Sequence, residues 1–137
     1  MLLRLITATA VVVSGAVHLL LWQDGYRDID VIGPLFLLNA VAGAAIGVVV
    51  LGWWHWLPLL AAVGFGASTL GAFALSTTVG LFGISEQWSG TDVLTAAVSE
   101  AVAVVAGLAA LVAENRARIS PPARARPDRK ASAPRPR

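Results

Sequence analysis

The sequence predicts an all-α protein, an integral membrane four-helix bundle built as two antiparallel helical hairpins and followed by a disordered basic C-terminal tail. Three observations predict it. The chain is 57% hydrophobic and only 13% charged, and the charges, Glu100 apart, are confined to loops and the two ends. Four apolar stretches, at 5–22, 33–54, 57–82 and 93–113, each approach or exceed the ~17–25 residues that cross ~30 Å of hydrocarbon at 1.5 Å per residue. After Ala113 the composition changes to Arg, Pro, Ala and Ser, with almost nothing large enough to build a core. Residues 1–113 are therefore expected to form the bundle and 114–137 the tail. The chain has no cysteine, which removes disulfide exchange and thiolate metal ligation.

The first stretch follows Arg4, as a secretory signal also would. Its apolar run is about 18 residues, longer than the ~7–15 of a signal peptide, and no small-x-small cleavage site follows before Gln23 and Asp24, so it reads as a retained span. A loop with Asp24, Asp28 and Asp30 leads to the second stretch. Their spacing lacks the glycine and ligand pattern of an EF-hand, and they read as a solvated acidic loop. The next turn, Trp53-Trp54-His55-Trp56-Leu57-Pro58, has no Lys or Arg. Its three Trp are the aromatic belt of a helix end at headgroup level, and Pro58 suits the first turn of the following helix. A turn this short makes spans two and three an antiparallel hairpin.

Span three carries small residues at every fourth position, Gly64, Ser68, Ala72, Ser76 and Gly80, and span two carries Asn39, Gly43 and Gly47. Span one places Ala10, Ser14 and His18 on one face, and span four places Ala96, Ala103 and Gly107 beside Glu100. Small-xxx-small ridges let backbones approach where lipid supplies no hydrophobic driving force, so these are the predicted packing faces. Their drift of about 40° per four residues implies crossed helices.

Orientation follows from the basic residues. Of ten Lys and Arg, Arg4 precedes the first span, eight follow the fourth, and only Arg27 lies in a loop on the other side. The positive-inside rule then places both termini in the cytoplasm of a multi-pass cell-membrane protein. The tail holds eight basic and two acidic residues, a net +6 against −4 for the rest. Arg116, Arg118, Arg124, Arg126, Arg129, Lys130, Arg135 and Arg137 are the expected contacts for anionic lipid headgroups, each contributing ~1 kcal/mol near the surface. No aromatics are interleaved with them for stacking on bases, which argues against nucleic acid as a partner.

Glu100 is the most informative residue, because an ionisable group inside a span is a functional-site hypothesis by default. Counted from the far ends of the spans, His18 lies about 6 Å deep, Asn39 about 9 Å, Thr78 about 6 Å and Glu100 about 10 Å. Ser76 and Thr77 fall in the same layer. His18, Asn39, Ser76 and Glu100 share faces with their helices' small residues and should point into the bundle. Two readings compete. The layer is interhelical glue, at ~0.6–2 kcal/mol per hydrogen bond, or it lines a polar cavity that binds an ion, a proton or a small ligand. A binder needs a pocket reaching Glu100, whereas a scaffold packs that carboxyl dry against a hydroxyl, an amide or a carbonyl.

Several chemistries are excluded by spacing. His18 and His55 sit near opposite ends of their spans and cannot share a haem iron. His18 with Glu100 offers two metal ligands, short of the three or four of a stable zinc site. No phosphate-cradling glycine loop or nucleophile elbow is present, so no metal, cofactor or enzymatic constellation is implied.

The segments His18-Leu19-Leu20-Leu21-Trp22, Gly25-Tyr26-Arg27, Ile32-Gly33-Pro34-Leu35-Phe36-Leu37-Leu38-Asn39 and Gly80-Leu81-Phe82-Gly83, with Glu86 and Glu100, resemble small four-span membrane proteins of unknown function from high-GC Gram-positive bacteria. The resemblance covers roughly residues 15 to 112 and excludes the tail. It supplies no activity, but it implies that the Gly25-Tyr26-Arg27 loop belongs to the pattern, with Arg27 pairing Glu86 across the outer face. The sequence thus leads to an accessory or interaction subunit that organises a membrane assembly, itself or lipid contacts, and alternatively to a small transporter or sensor using the His/Asn/Thr/Glu layer.

Overall fold

The computed structural model describes residues 1–83, 85 and 90–119. Its four helices are α1 (Leu2–Gln23), α2 (Ile32–Gly52), α3 (Trp56–Thr78) and α4 (Thr91–Ile119), with a short 3-10 turn, Tyr26–Asp28, between the first two. All four are long and apolar enough to cross a membrane. The chain is a small multi-pass membrane protein.

The helix ends follow from local chemistry. The α1 helix closes with the Asp24 N–H on Leu20 O, and Gly25 at φ 127° turns the chain. Before α2, Val31 stands at φ 69°, a left-handed conformation that is strained for a β-branched residue. It is braced on both sides by Ile32 N–H to Asp30 O at 2.8 Å and Gly33 N–H to Ile29 O at 2.9 Å. The α3 helix starts with the His55 side chain accepting from Leu57 N and with Pro58 in its first turn, as expected. It ends at Thr78, four residues short of the predicted run, because Gly80 at φ 80° and Phe82 at φ 49° take the chain out of helical geometry. The α4 helix continues six residues past Ala113, with Arg116 and Arg118 in a last turn whose dipole favours cations. The tail predicted from Glu114 therefore begins as helix.

Packing is uneven around the bundle. The α1 helix lies along both α2 and α4, and α3 lies along α4. The α2 and α3 helices, although joined by the short turn, touch far less than these pairs. The α1–α2 contact is backbone on backbone, since a Cβ on Gly43 would sit 2.6 Å from Val11 O and 3.1 Å from Gly15 Cα. Only glycine permits that approach. The predicted faces of α1, α2 and α4 do face into the bundle, where Ala10, Ser14, His18, Gly43, Gly47, Ala96, Glu100, Ala103 and Gly107 are buried.

The α3 ridge requires a correction at Gly64 and Ser68, whereas its Ser76 is buried as expected. Gly64 and Ser68 are exposed, and nothing lies within 4 Å of a Cβ built on Gly64. The helix instead meets α4 through Leu59, Ala62 and Gly66, and a Cβ on Gly66 would be 2.7 Å from Glu100 O. Spacing by four residues identifies columns of small residues. It does not say which of two adjacent columns packs, and the closest backbone approach decides that.

The interior holds polar and charged side chains that a water-soluble bundle would place outside. Arg4, Thr7, Ser14 and Glu100 are among the largest fully buried side chains, while Leu20, Leu38, Val48 and Val105 are exposed. This inversion is what a lipid solvent demands. A close-packed apolar cluster that includes Ala8, Val11, Val50, Leu59 and Ala110 fills the half of the bundle nearer the termini, and the other half is hollow.

Candidate functional site

A cavity of about 380 Å³ occupies the hollow half, walled by α2, α3 and α4 with His18 and Leu21 of α1. It extends from Leu81 and Tyr26 at the far end down to Phe65 and Thr69 near mid-depth. Its lining is mostly aliphatic and aromatic. The polar exceptions are His18, Asn39, Ser68, Thr69, Ser76 and Glu100, with the Tyr26 hydroxyl near the mouth. The weak α2–α3 contact leaves room for it, and the close glycine contacts of α1–α2 and α3–α4 fix its other sides.

Glu100 is held at the inner wall. Ser14 Oγ donates to its Oε1 at 3.0 Å, and His18 Nε2 lies 4.0 Å from the same oxygen. His18 Nδ1 is 2.9 Å from the carbonyl of Ser14. A carbonyl only accepts, so Nδ1 carries a hydrogen, and in the neutral ring Nε2 presents a lone pair toward Glu100. The two groups attract when one proton resides on either of them. Glu100 is only 1% exposed, so it is packed against a hydroxyl and at the same time forms part of a cavity wall.

Asn39 crosses the gap between α2 and α3, where its Nδ2 donates to Thr69 Oγ1 at 3.1 Å. The Thr69 hydroxyl itself donates to Phe65 O at 2.8 Å, so its oxygen is the acceptor and the Asn39 amide is oriented by it. Asn39 Oδ1 is left buried without a partner. Toward the mouth, Tyr26 stacks on Phe36 with centroids 4.9 Å apart, and Phe36 meets the His18 ring edge-on at 5.0 Å. The 3-10 turn is thereby tied to the site.

Four of the six predicted layer residues, His18, Asn39, Ser76 and Glu100, thus come together around one cavity. Thr77 and Thr78 do not join them, and their hydroxyls donate back to Ala74 O in their own helix. Thr69, about two and a half turns deeper than Thr78, takes the place expected of it. Ser14 was legible only as a small residue, and its hydroxyl proves to be the hydrogen-bond partner of Glu100. Arg27 is exposed and lies 3.5 Å from Asp28, and Glu86 is outside the described residues. Among the described residues no group of three or more His, Asp or Glu gathers to hold a metal ion.

A second buried ionic site, at the end carrying the termini, was not anticipated. Arg4 is 1% exposed. Its Nε and Nη2 donate to Glu114 at 2.7 and 2.9 Å, Nη1 donates to Val50 O and Trp53 O at 2.9 and 3.1 Å, and Nη2 donates to His55 O at 2.6 Å. All five N–H groups of the guanidinium are used. Its plane also lies 4.6 Å from the Trp54 ring. One side chain clasps α1, the α2–α3 turn and α4, and it satisfies carbonyls that the end of α2 leaves without helical partners. Sequence reading assigns Arg4 to topology and Glu114 to the tail, because 110 residues separate them. The bidentate Arg4 guanidinium holds the Glu114 carboxyl, one residue beyond the apolar run, below the usual carboxylate range. Arg116 and Arg118 are exposed on the last turn of α4, and the six basic residues from Arg124 onward lie outside the described residues.

No family model, curated protein or solved structure matches this chain.

Proposed function

We propose that this protein binds a small, largely apolar molecule inside the membrane, as the binding element of a sensor or small transporter. The observation that carries the reading is the cavity itself. Its volume of about 380 Å³ falls in the ~300–1,000 Å³ range of small-molecule sites, and it has the composition of such sites, apolar walls with a few convergent polar groups. Interhelical glue needs hydrogen bonds between helices and no space. Here the polar groups surround a void, and one of them keeps an unpaired buried oxygen. The sparse α2–α3 contact supports entry from the hydrocarbon between those helices, and the orientation read from the basic residues puts the mouth toward the outer face.

The test is photolabelling with a small apolar probe, a trifluoromethyl phenyldiazirine, of the protein in lipid nanodiscs. The reading expects labelled carbons at Phe36, Phe65 and Phe73, and loss of that labelling in Ala72→Phe, which fills the cavity. Labelling confined to lipid-facing residues in both proteins would refute it.

A second reading, an interaction subunit, is favoured by one observation. The exposed side of α3 carries Ala61, Gly64, Ala67 and Gly71, and no neighbour lies near either glycine. A small-residue face of this kind suits another helix. Disulfide crosslinking between copies carrying Gly64→Cys would be the sign of it, and it is compatible with a cavity in each copy.

A further inference from the structure

We infer that the cavity is selective for a protonated amine carried on a compact apolar body. The inference rests on the cavity being a binding site and names the chemistry of what it takes.

Most of the hydrogens on the polar side chains around the cavity are already committed. Of the polar side chains around the cavity, Ser68 and Thr69 both commit their hydroxyl protons to Phe65 O, at 2.9 and 2.8 Å. Ser14, behind Glu100, commits its proton to that carboxyl. One amide hydrogen of Asn39 is donated to Thr69 Oγ1, and the Nδ1 hydrogen of His18 faces Ser14 O. Ser76 and Tyr26 are each engaged with a further partner. Beside the second Asn39 amide hydrogen, what these assignments leave is lone pairs, namely Asn39 Oδ1, which is buried and unpaired, His18 Nε2, and the Glu100 carboxylate.

A site whose remaining capacity is mainly to accept hydrogen bonds is matched by a ligand that only donates. An ammonium group has three N–H donors and no acceptor, and it brings the positive charge that a buried carboxylate requires. Its attraction to carboxylate and amide oxygen is charge-assisted. The Tyr26 and Phe36 rings, stacked at 4.9 Å, add faces that attract cations. A carboxylate or phosphate would meet lone pairs with lone pairs and like charge with like charge. A hydrated metal ion would lose its water to walls that supply too few oxygens. The aliphatic remainder of the lining, with Leu35, Leu38 and Ala97 among it, fits the apolar body.

Thermal unfolding in detergent tests the inference with two rigid probes of the same shape, 1-aminoadamantane and its uncharged isostere 1-methyladamantane. Wild type, Glu100→Gln, Asn39→Leu and Ala72→Phe are titrated with each. The amine is expected to stabilise wild type with an apparent affinity at least tenfold tighter than the isostere. That preference should fall at least tenfold in Glu100→Gln and drop in Asn39→Leu, and both probes should lose their effect in Ala72→Phe. Should Glu100→Gln fail to fold, Asn39→Leu carries the same comparison. Equal stabilisation by the two probes, abolished by Ala72→Phe, would overturn amine selectivity and leave the cavity as a binding site. Amine stabilisation that persists in Ala72→Phe would place the amine elsewhere and overturn the inference. No effect of either probe on wild type would overturn both readings.

Discussion

Replacing Arg4 by Met should be the most damaging single substitution at the end carrying the termini, and its cost can be worked from the contacts. The variant keeps an unbranched apolar stem in the helix and removes the guanidinium. Breaking a buried ion pair by deleting one partner costs about 3–5 kcal/mol. Part of that cost is moderated here, because Glu114 is 24% exposed and water can solvate it. The other losses fall on Val50 O, Trp53 O and His55 O. A buried acceptor left unpaired costs about 1–3 kcal/mol, and Val50 is fully buried. A total near 4 kcal/mol is expected. Arg4→Lys keeps the charge but not the planar fork that reaches all five acceptors, so about half the loss should return. Glu114→Gln leaves the three carbonyl bonds intact and should cost about 1 kcal/mol, in the range of a partly exposed pair. The assay is equilibrium unfolding by a denaturing detergent in mixed micelles, read by helical circular dichroism. The reasoning fails if Arg4→Met loses less than about 1 kcal/mol, below the cost of one unpaired buried acceptor, or if Glu114→Gln is as damaging as Arg4→Met.

Other predictions follow from separate parts of the molecule. Glu114 has a folded-state pKa below its ordinary value, so its contribution is complete above the unfolded pKa of about 4.3 and is lost as pH falls through the folded value. An acid titration of stability should therefore be steeper below about pH 4 in wild type than in Glu114→Gln, and coincident curves would contradict it. Gly66→Leu should separate α3 from α4, since even a Cβ would lie 2.7 Å from Glu100 O, and should cost at least about 1–3 kcal/mol as overpacking. Gly64→Leu, two residues away with open space around it, should be tolerated in thermal stability, and equal effects of the two would refute the packing assignment. Glu100→Gln should keep the bond from Ser14 and fold normally, whereas Glu100→Leu leaves a fully buried hydroxyl without its partner and should cost about 1–3 kcal/mol more. A reporter fused after Arg137 should be active only as a cytoplasmic reporter and one inserted at Gly25 only as an exported one, with reversed activities overturning the orientation.

The spans and the membrane class were legible because hydrophobic length is a one-dimensional property. The depth of a residue along a span is equally one-dimensional, which is why His18, Asn39 and Glu100 could be matched in depth and found around one cavity. Thr78 shares that depth but turns its hydroxyl back to Ala74 O, a choice open to any helical threonine and invisible in the spacing. Thr69 was missed because its role depends on Asn39 across the α2–α3 gap. The Arg4 clasp was missed for a related reason. Each partner alone has an adequate local explanation, and only the antiparallel return of α4 beside α1 brings residue 4 to residue 114. The cavity cannot be read from sequence at all. It arises because glycine contacts hold α1 close to α2 and α3 close to α4 while α2 and α3 touch far less.

The measurement closest to the central claim is a crystal structure determined under xenon pressure, since an apolar void of this size takes up the gas. A xenon peak between Phe65, Ala72, Phe73 and Ala97, with Asn39 still bonded to Thr69, is the predicted result. A structure in which α2 and α3 close on each other, bringing Phe36 and Phe73 into contact with no xenon between them, would contradict it.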